Sequence, residues 1–315
     1  MRIAVFAPLL LPLLSVWGAG ALAHRLPPRL ATWLLTAAAV VLAGCSTAAL
    51  ALLAATAALR IPLLADLARY SLTVVSRDDP ASIWVAVAAG ALLTAAGAAL
   101  GRVATRRARA LAATHRHTRA LPGHEELVVV PDPAPEAYAA PGRPGRIVVS
   151  TAMLEALSPA EQRALIAHER SHLAHHHIRF LTAVHLAAAL NPTLRPVARA
   201  VGYTVERWAD EDAARAVGDR PVVAHAIGRA ALAGRAATTS GARPALGLGI
   251  TPALPRDAGD VPRRVAALLS SALLTARRGW LLAAVGVVLL AALSTLEAQQ
   301  DFEALLELAR HATTG

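Results

Sequence analysis

The segment Leu165-Ile166-Ala167-His168-Glu169-Arg170-Ser171-His172 holds the residues best suited to chemistry. Four residues are just over one helical turn, so His168 and His172 share a face if the segment is an α-helix. Both imidazoles can then reach one metal ion, and neutral imidazole suits Zn²⁺. Glu169, between them, is placed to take a proton from an attacking water. A catalytic zinc takes three protein ligands and keeps one position open. Glu206 lies 34 residues after His172 on the next strongly helical stretch, and two antiparallel helices would bring it to the histidines. Asp210 is one turn further on the same face, where it could hydrogen-bond the outer nitrogen of a ligand histidine. Taken without the histidines, 206–212 would read as a solvated acidic face. His175, His176 and His177 read as a basic cluster near a membrane surface rather than a second metal site, because no carboxylate cluster accompanies them.

These residues need elements to hold them. Ser158-Pro159-Ala160-Glu161 marks a helix start, with a capping Ser, Pro at the first helical position and Glu three after the cap. That helix is expected to run to about His177, and a second one from about Pro192 to Val217. Upstream, 127–130 and 146–150 are apolar β-branched runs bounded by turn residues, and 136–139 between them is a candidate short edge strand. The Gly- and Pro-rich stretch 240–262 reads as a linker, and a helix from about Val265 leads on to the last apolar run.

The chain has 315 residues, 56% hydrophobic and 17% charged, against about 45–50% and about 25% in an ordinary soluble domain. That balance excludes a disordered chain and a purely soluble one. Uncharged runs at 3–23, 30–59, 81–101 and 279–296 are each long enough, or nearly so, to cross a hydrocarbon core about 30 Å thick. The net charge is +10 and every basic residue is Arg. Six arginines and no acid lie between Gly101 and Leu121, which places that loop in the cytoplasm and both termini outside. Ala21-Leu22-Ala23 resembles a signal-peptide cleavage site, but cleavage there would move the arginine-rich loop outside, so an uncleaved first span is the preferred reading. No aromatic residue interleaves with those arginines, which argues against nucleic acid and for anionic lipid. Cys45, the single cysteine, reads as a small apolar filler.

The ordered set Gly145-Arg146-Ile147-Val148-Val149-Ser150, Leu157-Ser158-Pro159-Ala160-Glu161 and His168-Glu169-Arg170-Ser171-His172 resembles the core of integral-membrane gluzincin metallopeptidases. Glu206-x-x-Ala209-Asp210 is similar to their downstream acidic motif. Glu136-Ala137-Tyr138-Ala139 is similar to the edge strand before their active-site helix, with Glu136 where Asn is usual. The order of runs, and Arg263-Arg264-Val265-Ala266-Ala267-Leu268-Leu269, resemble the BlaR/MecR-type branch (metallopeptidase family fifty-six); the HtpX-like and CAAX-prenyl-endoprotease branch is the related alternative. The chain as given ends at Gly315, so the resemblance is not extended to β-lactam sensing.

The expected fold is therefore a mainly α membrane protein. It has three N-terminal transmembrane helices in 1–101, a cytoplasmic α+β gluzincin-type zinc peptidase domain with a small edge-strand sheet in 102–239, and a linker with a juxtamembrane helix in 240–278. A fourth transmembrane helix at 279–296 and a short extracytoplasmic tail at 297–315 complete it. The resemblance implies one Zn²⁺ per chain on His168, His172 and Glu206, with Glu169 as catalytic base and Asp210 behind the ligands. It further implies main-chain binding of an extended substrate at Ala137, Tyr138 and Ala139. The expected partners are the lipid bilayer and a protein substrate, such as a cytoplasmic repressor. Quality control of membrane proteins and a non-catalytic scaffold with a structural zinc are the competing roles.

Overall fold

A computed structural model describes residues 4–58, 83–123, 125–239, 260–270 and 278–311. The loop 60–80, most of the linker and the last residues of the tail lie outside the described residues. Helix α1 (Ala7–Leu10) passes through a 3₁₀ turn (Leu11–Leu14) into α2 (Ser15–Arg25). Then come α3 (Pro28–Ala58), α4 (Ile83–Ala120), strands β1 (Leu127–Val130), β2 (Ala137–Ala140) and β3 (Arg146–Ser150), and the short α5 (Thr151–Glu155). The site-bearing helices follow: α6 (Pro159–Ala174), α7 (His177–Leu190), α8 (Arg195–Val217) and α9 (Arg220–Thr239). The last described helices are α10 (Asp260–Leu269) and α11 (Arg278–His311).

Three of these helices are long and apolar enough to cross a membrane: Pro28–Thr56, Ile83–Ala120 and Leu281–Leu308. The first uncharged run is not one straight helix. Ala7–Leu14 and Trp17–Arg25 meet at 49°, and only counted together do they make a fourth candidate span. Pro8 and Pro12 lie in the first of these pieces; proline removes a backbone donor and crowds the preceding turn, in keeping with the change from α1 to the 3₁₀ turn at Leu11–Leu14.

The sheet order is β1-β3-β2, with β1 parallel and β2 antiparallel to the central β3. Every residue of β3 is buried. Ile147 and Val149 face α6 and pack with Leu165, Ile166 and Leu173. The register puts Ala137 opposite Val149 and Ala139 opposite Ile147, so β2 turns its small side chains to this face and Tyr138 to the other.

The N-terminal helices and the site-bearing helices share one core. Leu35, Ala39 and Leu42 of α3 pack with Phe180 and Val184 of α7 and with Val197 and Val201 of α8. Two polar contacts fix how α3 and the turn before α8 align. Thr32 Oγ1 donates to Thr204 Oγ1 at 2.9 Å, and Asn191 Nδ2 donates to Ser46 Oγ at 2.9 Å. These contacts are separated by 14 residues on α3 and 13 on its partner, so the two run antiparallel over about 20 Å at 1.5 Å per residue. Arg207 Nη1 also donates to the carbonyl of Ala23, at the end of α2. Glu206 therefore lies at the Pro28 end of α3.

Candidate metal centre

Helix α6 starts as its sequence demands. Ser158 Oγ accepts from the Glu161 amide, and the Glu161 carboxylate accepts from the Ser158 amide at 2.8 Å, with Pro159 in the first turn. This reciprocal cap satisfies donors that a helix end leaves open. The helix is expected to continue to about His177 but stops at Ala174. His176 takes a left-handed conformation (φ 51°, ψ 43°), the chain reverses, and His177 opens α7. An L-residue pays a steric cost there that glycine does not. His176→Gly is expected to raise thermal stability in detergent and His176→Val to lower it, by about 1 kcal/mol each way.

The turn brings three predicted residues together with a fourth behind them. His168 Nε2 and His172 Nε2 are 3.2 Å apart. Glu206 of α8 places Oε2 3.7 Å from His168 Nε2 and Oε1 3.7 Å from His172 Nε2. All three offer a ligand atom within 4.8 Å of one another. Tetrahedral ligands 2.0–2.1 Å from a zinc ion are about 3.3 Å apart, so the spacing and the N, N, O donor set both fit zinc. The two histidine side chains are 11% and 14% exposed and Glu206 24%, which leaves the group open on the glutamate side. Glu169 is half-buried, and its charge is felt by both His172 and Arg264.

Asp210 is buried, with Oδ1 3.0 Å from His168 Nδ1, the nitrogen turned away from Glu206. No spacing in the sequence points to what lies behind it. Arg264 reaches in from α10, its Nε 2.7 Å from Asp210 Oδ2 and its Nη2 2.6 Å from Asp210 Oδ1. Its Nη1 is 2.8 Å from Glu206 Oε2. A second, partly exposed network lies on the other side of α6: Ser171 Oγ donates to Asp212 at 2.6 Å, and Asp212 also meets His175 Nε2 at 2.9 Å and the exposed Arg215 guanidinium.

The charges follow from this packing. Burial alone would lower the His168 pKa, but the Asp210 and Glu206 carboxylates more than offset it and lift it to about 10. Burial also opposes ionisation of Glu206 and Asp210, yet Arg264 and His168 hold both below their usual values. His172 is lowered by burial and by its neighbour His168, which together outweigh Glu206. Any metal ion binding here must displace the His168 proton.

Of the run His175-His176-His177, which its composition marks as a basic cluster near a membrane surface, His176 is exposed and His175 half-buried, but the third ring turns inward. His177 is 1% exposed, and burial beside His172 and His175 pushes its pKa down to about 2, so it is neutral. Tyr138 is half-buried on β2, where burial and then Glu136 raise its hydroxyl to about 12. Ala137, Tyr138 and Ala139 do form a strand, and among the described residues β3 is its one strand partner.

Two imidazoles, a carboxylate from a second helix and an adjacent acid make up the kind of centre that metallopeptidases use. The family model described as Peptidase family M48 matches residues 98–198, about a third of the chain. That stretch includes the sheet, α6 and its His168-Glu169-x-x-His172 segment, and ends before Glu206. The match supports a metallopeptidase of this kind and does not single out the BlaR/MecR branch. No curated protein and no solved structure matches the chain.

Proposed function

We propose that the chain is a membrane-embedded zinc-dependent endopeptidase that cuts a protein substrate at the cytoplasmic face of the bilayer. The observation that carries this reading is the convergence, within 4.8 Å, of His168 and His172 of α6, the helix that also bears Glu169, with Glu206 of α8. Zinc held by these three side chains would polarise a scissile carbonyl and lower the pKa of water. Glu169 takes the proton from the attacking water and returns it to the leaving amine. Asp210 lies 3.0 Å from the outer nitrogen of His168 as its ion-pair partner, and Arg264 keeps Asp210 and Glu206 ionised. The edge of β2 that has no strand partner among the described residues offers main-chain groups at Ala137, Tyr138 and Ala139 to an extended peptide. The cytoplasmic placement rests on the arginines between 102 and 119, and the uncharged-run order favours regulated cleavage of one cytoplasmic protein over general quality control.

The test is zinc per chain in the full-length protein purified in detergent without chelator, beside Glu206→Ala. About one zinc in the parent and clear loss in the variant is the expected result. A folded parent without zinc would overturn the peptidase reading. Equal zinc in both would remove Glu206 from the ligand set.

A further inference from the structure

His177 sits directly behind the second histidine of the metal group. Its Nδ1 is 2.9 Å from Nδ1 of His172, while His172 Nε2 is the nitrogen that faces His168 and Glu206. The ring is fixed on its other sides by Trp208, 4.8 Å away between centroids, and by His175, stacked at 5.7 Å. Its second nitrogen, Nε2, is buried with no hydrogen-bond partner among the described residues. The contact to His172 is thus the polar interaction for which the ring is held.

We propose that His177 is a positioning residue that sets the tautomer and ring angle of His172. This rests on the metallopeptidase reading above. For His172 to offer the Nε2 lone pair to a metal, its single ring proton must be on Nδ1. That N–H then donates to the Nδ1 lone pair of His177, whose own proton is on Nε2. One imidazole thereby does for His172 what the Asp210 carboxylate does for His168. The two ligand histidines differ in consequence: His168 is backed by an anion and His172 by a neutral acceptor. Groups in this position orient metal ligands and raise their basicity. The left-handed turn at His176 is what folds His177 back within reach, five residues after His172.

The experiment measures zinc affinity by chelator competition on the full-length protein in detergent, for the parent, His177→Leu and His177→Asn. Leucine and asparagine have similar shape, but only asparagine places an acceptor near the Nδ1 position. His177→Leu is expected to bind zinc about 10–100-fold more weakly, and His177→Asn to recover most of that loss. In Co²⁺-loaded protein, the visible ligand-field bands should shift in the leucine variant and return in the asparagine one. A second readout needs no variant: in zinc-loaded parent labelled with ¹⁵N at histidine, a through-hydrogen-bond coupling should join the two Nδ1 nuclei. Parental affinity in His177→Leu, equal loss in both variants, or no coupling between the nitrogens would overturn the proposal. A parent that binds no zinc would instead overturn the function on which it rests.

Discussion

Glu169→Gln is expected to lower peptide hydrolysis by about 10²–10⁴-fold while zinc per chain stays at the parental level. Glutamine keeps the size of the side chain and the helix propensity of the position, so α6 and its cap are undisturbed. It cannot accept the proton that an attacking water must lose. Glu169 is not one of the three residues whose ligand atoms converge, so the metal group should survive the change. The loss should appear in kcat with little change in KM, because the removed interaction acts only as the bond is broken. A zinc-loaded Glu169→Gln that cleaves as well as the parent would show that another group is the base.

The second large effect concerns Arg264. Its side chain is 9% exposed and meets two carboxylates at once, the buried Asp210 by a paired contact and the partly exposed Glu206 by a third nitrogen. Arg264→Met keeps much of the bulk and leaves both carboxylates without their main cation. Breaking a buried pair from one side typically costs about 3–5 kcal/mol, because the remaining charge stays desolvated. The metal-free protein should therefore melt well below the parent. Zinc should recover part of the difference, since it returns positive charge to Glu206. Adding Asp210→Asn to the variant should cost less than the two single changes summed, the mark of an interacting pair. An unchanged melting temperature without zinc would show that α10 is not held by this contact.

Much of the centre was legible because its signals are local. The Ser158–Glu161 cap, the i, i+4 histidines and the turn-bounded strands at 127–130 and 146–150 each follow from a few consecutive residues. That Asp210 shares a face with Glu206, one turn on, followed from helical periodicity; that α8 approaches α6 at all did not, and rested on supposing how two helices pack. Arg264 was readable only as part of a resembling segment, since it stands 54 residues beyond Asp210 and no spacing rule links them. His177 was misread for a different reason. Three successive histidines look like a basic cluster near a membrane surface by composition, and periodicity cannot reveal that His176 turns left-handed and carries the third ring inward. The break in the first apolar run was hidden too, because hydropathy is blind to direction and only Pro8 and Pro12 hint at it.

The antiparallel clamp between α3 and α8 makes the long helix a ruler. The Glu206 carboxylate stands at a set height against the Pro28 end of a membrane-length helix, held in register by the Thr32–Thr204 and Ser46–Asn191 contacts. A protease on a flexible tether would sample bonds far from the bilayer; under the function proposed above, a centre clamped in this way would wait at one altitude. Selection among substrates then begins with geography: a sequence qualifies by being unravelled at that level, and a folded domain standing clear of it passes untouched.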